Sequence, residues 1–269
     1  MNLPENLTTK MKQLEEKYAS IGQDLPAYLD GLLYANPLNY WDYVNLDVLL
    51  NIQHPKTDFP DEEIFIVYHQ ITELYFKLSL KELDQIAKNG KIISSSGQDL
   101  GWNSSLDVDY FTARLKRINN YFEALSQSFS IMVNGMEKDQ FLKFRMSLLP
   151  ASGFQSAQYR QIELACTQLV NLTKQSLRES LSDASIEEQM EHVYWKEGSI
   201  DVKTSKKTLM LENFEKKYLS MFIEKAQEFK DKNLLSKYFE LSADDQKNPA
   251  LIEQLRLLDL NVNVSWPLV

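Results

Sequence analysis

The sequence predicts an all-α fold, a single helical domain of long packed helices. Three observations carry that prediction. The 269 residues include only 8 glycines and 8 prolines, where average usage gives about 19 and about 13. Tight turns and hairpins draw on these two residues, so a sandwich or barrel of many short strands is excluded. Apolar residues recur at spacings of 3 and 4 over long stretches and do not alternate. At 43% hydrophobic and 25% charged, the chain is too apolar to be disordered and long enough to bury a large core.

Residues 1–33 read as an N-terminal arm, polar through residue 30, with a short helix at 10–18. The text from Tyr34 to Ile52 is rich in aromatic residues and predicts a short helix ending near Gln53, ahead of His54-Pro55 and a loop at 56–60. The next helix is the best signalled. Pro60 stands near its first position, and Asp61, Glu62 and Glu63 fill the first turn, where the helix dipole favours negative charge. Ile64, Val67, Tyr68, Ile71, Leu74, Tyr75 and Leu78 form one apolar stripe; Phe65, His69, Thr72 and Phe76 form a second. A helix apolar on two sides is expected to be central and buried on both. Asn89-Gly90 ends it.

Residues 94–105 have the composition of a surface loop. Val108, Phe111, Leu115, Ile118, Phe122, Leu125, Phe129 and Met132 then follow at alternating spacings of 3 and 4, a heptad-like seam that predicts one long helix in near-antiparallel packing, ended by Asn134-Gly135. A shorter helix is expected at 139–149, closed by Pro150, and another from near Ser156 through Ile162, Cys166, Leu169 and Leu172. Residues 182–208 read as a polar, mobile segment around a short helix at 185–197. Leu211, Phe214, Tyr218, Met221, Phe222 and Phe229 mark a further long helix, residues 249–258 a last one, and the stretch from Asn261 onward is not helical. With no repeat and no low-complexity linker, one domain is expected.

Charge and cysteine usage narrow the function. A net charge of −9 repels phosphate backbones and argues against nucleic-acid partners. A lone cysteine, Cys166, forms no internal disulfide; with the plain start Met1-Asn2-Leu3 it points to a reducing, cytoplasmic setting. No apolar run reaches the ~20 residues of a membrane span. Paired Glu-x-x-His motifs are absent, since Ile66 and Gln189 stand three residues before His69 and His192. Glu188 and His192 share a helix face that reads as solvated, and no Cys/His zinc spacing occurs. Gly153 and Gly198 are isolated and make no phosphate-cradling loop. Cys166 reads as a small core residue.

Two residues stand out. His69 lies on the stripe of Phe65 and Phe76. It is either a satisfied core histidine or the polar handle of an aromatic-walled pocket, able to take a hydrogen bond from an indole or imidazole N–H. Arg145 shares a face with Phe141 on an apolar helix. It needs either an internal carboxylate or a bound one. The loop Pro150-Ala151-Ser152-Gly153-Phe154-Gln155 then feeds a helix start whose free N–H groups suit an anionic ligand group.

These residues belong to a larger pattern. Tyr40-Trp41-Asp42-Tyr43 with Leu46-Asp47 and Leu49-Leu50 comes first, then Asp61-Glu62, Phe65-Ile66, His69-Gln70 and Glu73-Leu74. Phe144-Arg145 follows, and then Pro150-Ala151-Ser152-Gly153-Phe154-Gln155-Ser156 with Gln158, Arg160, Ile162 and Glu163. In this order the segments resemble the tryptophan 2,3-dioxygenase family from about residue 35 to the end of the chain, the last two being highly specific together. The resemblance implies the helical tryptophan/indoleamine 2,3-dioxygenase-like fold, a homotetramer, haem b, and oxidative cleavage of the indole C2–C3 bond of L-tryptophan by O2 to N-formylkynurenine.

Residue roles follow by the same resemblance. His69 looks like the histidine that accepts the indole N–H, Phe65 like a wall against the indole ring, and Arg145 like the clamp on the substrate carboxylate. Tyr40, Tyr43 and Val44 match positions that reach into a neighbouring subunit's pocket. Phe129, Ser152 and Gly153 fall on the cofactor side. Phe141 stands where the family usually carries tyrosine, and Phe129 near a haem-packing tryptophan. The family's iron-ligating histidine lies on a late helix, for which 261–269 looks like the lead-in, and no histidine follows His192. No axial ligand is therefore assigned. Two alternatives stay open: a related haem enzyme for another aromatic amino acid or indole, and a non-catalytic helical module that has lost haem.

Overall fold

The structure, a computed structural model, describes residues 4–34, 39–148, 155–197, 199–200 and 206–265, and most of these are helical. The chain divides into two compact units, Met1–His54 and Pro55–Val269. The first holds α1 (Glu5–Ser20), α2 (Leu25–Tyr34) and two single turns, α3 (Tyr40–Tyr43) and α4 (Leu46–Leu49). The first helix is longer than its apolar pattern predicts and buries none of its residues. It packs against α2 through the Tyr18 and Tyr28 rings, 5.1 Å apart.

The second unit is built on α5 (Asp61–Ala87), which begins in the acidic turn and stops at Lys88 as expected. Asn89 and Gly90 then take left-handed backbone angles, φ 62° and 86°. A Cβ on Gly90 would stand 2.9 Å from the Tyr110 ring. Gly90→Ala is therefore expected to cost about 1–2 kcal/mol from backbone strain alone, read as a lower urea midpoint; an unchanged midpoint would remove glycine's role here.

A short hairpin follows, β1 (Lys91–Ile93) against β2 (Asp99–Trp102), antiparallel and irregular in register. The expected loop is thus partly strand. Strands this short hold too few residues for alternation to register as a pattern. The predicted seam runs down α6 (Val108–Ser128), where Phe111, Leu115, Ile118, Phe122 and Leu125 are fully buried. It does not continue as one helix: α7 (Ser130–Gly135) starts anew after Phe129. The Met132 N–H reaches the Phe129 carbonyl, a tightened turn that takes Phe129 off the seam.

Next come α8 (Lys138–Leu148) and α9 (Ala157–Cys166), the latter capped by the Ser156 hydroxyl, which accepts from the Tyr159 N–H. This helix ends six residues earlier than its apolar pattern predicts, and Leu169–Leu172 is a separate 3-10 turn. The segment expected to be polar and mobile contains α10 (Ile186–Glu191) and α11 (Tyr194–Glu197). Where it is described it is partly packed, for Met190 and Val193 enter an apolar cluster with Phe214 and Phe222. Lys196 is buried there too, paired with Glu215 at 2.7 Å and Glu191 at 3.3 Å. The unit closes with α12 (Leu209–Phe229), α13 (Leu234–Glu240), α14 (Pro249–Leu260) and a π-helical turn over Asn261–Ser265, so the expectation of no helix from Asn261 onward is corrected for these five residues.

The main core lies where α6 packs between α5 and α14, with α9 on the other side of α5. One expectation for α5 is corrected. Tyr68, Thr72, Phe76, Leu83 and Ile86 are buried, but Val67, Ile71, Leu74 and Leu78 are 36–49% exposed. Most of the first apolar stripe is therefore left uncovered among the described residues, while the second is the one that is enclosed.

Candidate functional site

One cavity of about 980 Å³ lies inside the Pro55–Val269 unit, at the upper end of the usual range for small-molecule pockets. Helix α5 forms its long wall with Phe65, Tyr68, His69, Thr72, Glu73 and Phe76. From Phe65 to Phe76 that wall runs about 16 Å at 1.5 Å per residue. Phe129, Met132 and Met136 also line it, with Phe141 beside Phe65 and Tyr159, followed by Arg160, beside Phe76.

His69 is set by its own helix. Its Nδ1 lies 2.7 Å from the Phe65 carbonyl oxygen. A carbonyl only accepts, so Nδ1 carries the proton and donates, and Nε2 keeps a free lone pair. The Phe65 and His69 rings stack at 4.1 Å. Phe65 also meets Phe141 at 6.4 Å and Phe144 edge-on at 5.8 Å. The expected aromatic wall with one polar handle is therefore assembled from α5 and α8.

The start of α5 fixes α8 in place. The Asp61 carboxylate accepts from the Glu137 N–H, and the Asp61 N–H donates to Gln140 at 3.3 Å. Glu62 is fully buried and accepts from the N–H groups of Lys56 and Thr57 at 2.7 and 2.8 Å and from the Thr57 hydroxyl. Burial opposes its charge, but these donors outweigh it, and the carboxyl titrates below its usual range.

Arg145 does not line the cavity. It is exposed, with its guanidinium carbon 5.9 Å from the centre of the Phe141 ring that does. No carboxylate among the described residues pairs with it. The internal-ion-pair reading therefore has no partner to name. Phe129 lines the cavity and stacks on Tyr68 at 6.3 Å. Tyr40 and Tyr43, 71% and 73% exposed, and half-buried Val44 belong to the Met1–His54 unit. Ser152 and Gly153 lie outside the described residues.

Sequence reasoning gave no role to the group at the inner end. Arg160 donates from Nη1 to Glu163 at 2.6 Å and to the Tyr194 hydroxyl at 2.9 Å, and Tyr194 donates to Glu163. Tyr159 donates to the Val262 carbonyl, tying the turn after α14 to the wall. Burial raises the titration points of Tyr159, Tyr194 and Glu163. The spacing of Ser156, Tyr159, Arg160 and Glu163 places them on one helix face and was the available signal.

Among the described residues no group of three or more His, Cys, Asp or Glu side chains could hold a metal ion, and no helix is long and apolar enough to cross a membrane. Three known tryptophan 2,3-dioxygenases are similar to the chain. That of Ruegeria sp. (strain TM1040) is 37% identical over 130 residues, 48% of this chain and 42% of the relative. That of Sorangium cellulosum (strain So ce56) is 39% identical over 134 residues, 47% of the chain and 30% of the relative. That of Bradyrhizobium diazoefficiens is 31% identical over 158 residues, 59% and 50%. The chain thus spans half or less of the length of these relatives. The family model for tryptophan 2,3-dioxygenase matches residues 33–248, a span that takes in α5, α8 and α9 with the histidine and aromatic wall between them, and the chain belongs to that family.

Proposed function

We propose that the protein is a haem-dependent dioxygenase that cleaves the indole C2–C3 bond of L-tryptophan with O2, giving N-formylkynurenine. The observation that carries this is His69, which lines an aromatic-walled cavity with its Nδ1 committed to the Phe65 carbonyl, leaving Nε2 as the ring's acceptor. Nε2 accepts the indole N–H, while Phe65 and Phe141 hold the ring and keep water from it. Arg145, which has no ion-pair partner among the described residues, takes the substrate carboxylate by a charge-assisted pair.

The cavity suits haem in volume, in its apolar faces at Phe129, Met132 and Met136, and in an orphaned buried N–H on Arg160. Ser152 and Gly153, by resemblance, and Phe129 would contact the cofactor. His69 is the one imidazole lining the cavity among the described residues, so no second histidine there is offered to iron. When bound, haem supplies the activation of O2. The protein supplies orientation and exclusion of water.

The exposed stripe of Val67, Ile71, Leu74 and Leu78 supports assembly into a homotetramer. In that assembly Tyr40, Tyr43 and Val44 reach a neighbour's pocket. The single cysteine and acidic charge support a cytoplasmic protein without nucleic-acid or membrane partners.

The test is reconstitution with haem and L-tryptophan, using the chain alone and extended by the corresponding C-terminal part of the Ruegeria relative. A haem spectrum and N-formylkynurenine are expected from the extended protein; neither appearing there overturns the proposal. His69→Ala is expected to weaken tryptophan binding about tenfold, the worth of one hydrogen bond, with the melting temperature retained. A collapse of melting temperature instead would return His69 to the core. A second reading, a different aromatic amino acid or indole as substrate, is favoured by Phe141, which brings no hydroxyl to the carboxylate end. A thermal-shift panel in which L-tryptophan alone stabilises would reject it.

A further inference from the structure

We propose that a second cavity, of about 640 Å³, binds a nucleoside monophosphate, its phosphate among Lys81, Arg114 and Arg117 and its base against Trp102. This cavity lies between α5, α6 and the hairpin and shares no lining residue with that of His69, so the inference stands apart from the reaction proposed above.

The first observation is a surplus of positive charge. Arg114 and Arg117 both pair with one buried carboxylate, Glu82, at 3.0 and 3.4 Å. Lys81 lines the same space, is exposed and is in no ion pair among the described residues. The other two charges of the lining are matched locally, Lys91 by Asp99 and Asp84 by Lys88. Three cations thus face one carboxylate, in a protein whose net charge is −9. An excess of two charges suits a phosphate monoester, which carries about −1.5 to −2 at neutral pH, better than a carboxylate. The acidic surface as a whole repels a polyanion, whereas a local surplus draws in a small one.

The second observation is a fixed guanidinium with hydrogen-bonding capacity to spare. Arg114 donates to Glu82 from Nη1, while its Nε is buried without a partner among the described residues. Buried donors in native proteins are almost always paired, so an orphaned one at a cavity wall points to an acceptor. The guanidinium carbon stands 4.5 Å from the centre of the Tyr110 ring, and Tyr110 is itself held by its hydroxyl, which donates to Gln85 at 2.7 Å. A planar fork held in this way matches phosphate geometry and loses little entropy on pairing.

The third observation is shape. Gln85 meets Tyr110, and Glu82 meets Arg114 and Arg117, so α5 and α6 run antiparallel past the cavity. From Arg117 back to Tyr110 the α6 wall covers about 10 Å at 1.5 Å per residue. The cations around Glu82 mark one end. At the other, the hairpin supplies Ile93 and Trp102, whose indole is 42% exposed with the Lys91 ammonium 5.5 Å from its centre. An exposed indole is a platform on which any flat base stacks. Phosphate at one end and a ring at the other is the outline of a nucleoside monophosphate.

The test is calorimetric titration of the chain with adenosine 5′-monophosphate, inorganic phosphate, adenosine and L-tryptophan. The nucleotide is expected to bind saturably and about 5- to 150-fold more tightly than inorganic phosphate, the worth of one stacked base. K81Q/R117Q keeps the Arg114–Glu82 pair, so it strands no buried charge, and is expected to lose about 10- to 100-fold in nucleotide affinity. W102A, at an exposed hairpin position, is expected to bring the nucleotide down to the affinity of inorganic phosphate, which it leaves unchanged. No saturable nucleotide binding, or affinity retained in K81Q/R117Q, would overturn the inference. A nucleotide bound no more tightly than inorganic phosphate, or equally well by W102A, would remove the base from Trp102 and overturn it as well. L-Tryptophan bound as tightly as the nucleotide, with the same loss in K81Q/R117Q, would make this a carboxylate site and overturn it too. Each of these results leaves the reading of the His69 cavity untouched.

Discussion

Arg145→Ala is expected to weaken L-tryptophan binding by about 10- to 100-fold, the loss of one charge-assisted pair. Folding is expected to be untouched, because Arg145 is exposed and has no internal ion pair among the described residues. Its guanidinium lies 5.9 Å from the centre of the Phe141 ring, a contact that a neighbouring side chain can replace. The control is tryptamine, which lacks the carboxylate. Wild type and variant should bind tryptamine equally, so the deficit appears only with the amino acid. Calorimetry on both ligands checks this. Equal losses for tryptophan and tryptamine would mean that Arg145 supports the aromatic wall and does not read the carboxylate.

The second large effect is on stability. Phe122 is fully buried at the centre of the α6 seam, its ring 6.0 Å from Phe76. Phe122→Ala is expected to cost about 3–5 kcal/mol, a lost transfer energy plus a cavity. Phe76 lines the ligand cavity on its other side, so the void opens directly behind the pocket wall. Binding should therefore weaken along with folding. Urea denaturation measures the first and titration with haem the second. A drop below about 1 kcal/mol, the scale of an ordinary surface change, would show that the seam repacks.

Much of this was legible in the residues. The acidic first turn and the Asn89-Gly90 stop delimited α5 because both act within a few residues of the helix end. The seam of α6 could be read because strict 3–4 spacing has one structural solution. Phe65, His69, Phe141 and Arg145 could be grouped because residues four apart share a face. Other features leave no such trace. Phe129 fits the seam pattern, so the break at that position is invisible to spacing. The stripe of Val67, Ile71, Leu74 and Leu78 reports that these positions are apolar, not what covers them. Arg160 has the same local pattern as a surface arginine. Its burial depends on Tyr194 and Trp195, more than thirty residues away.

Helix α5 also bears on how freely this sequence can change. Its 27 residues give one face to the core, a second to the cavity and a third to an uncovered apolar stripe, while its first turn anchors two other segments. Few of its positions are left without a task. In a lineage drifting under purifying selection, α5 should be the slowest-changing stretch, with tolerated substitutions gathering in α1, which buries nothing. A saturation library scored for survival would read this as a trough of permitted amino acids between Asp61 and Ala87.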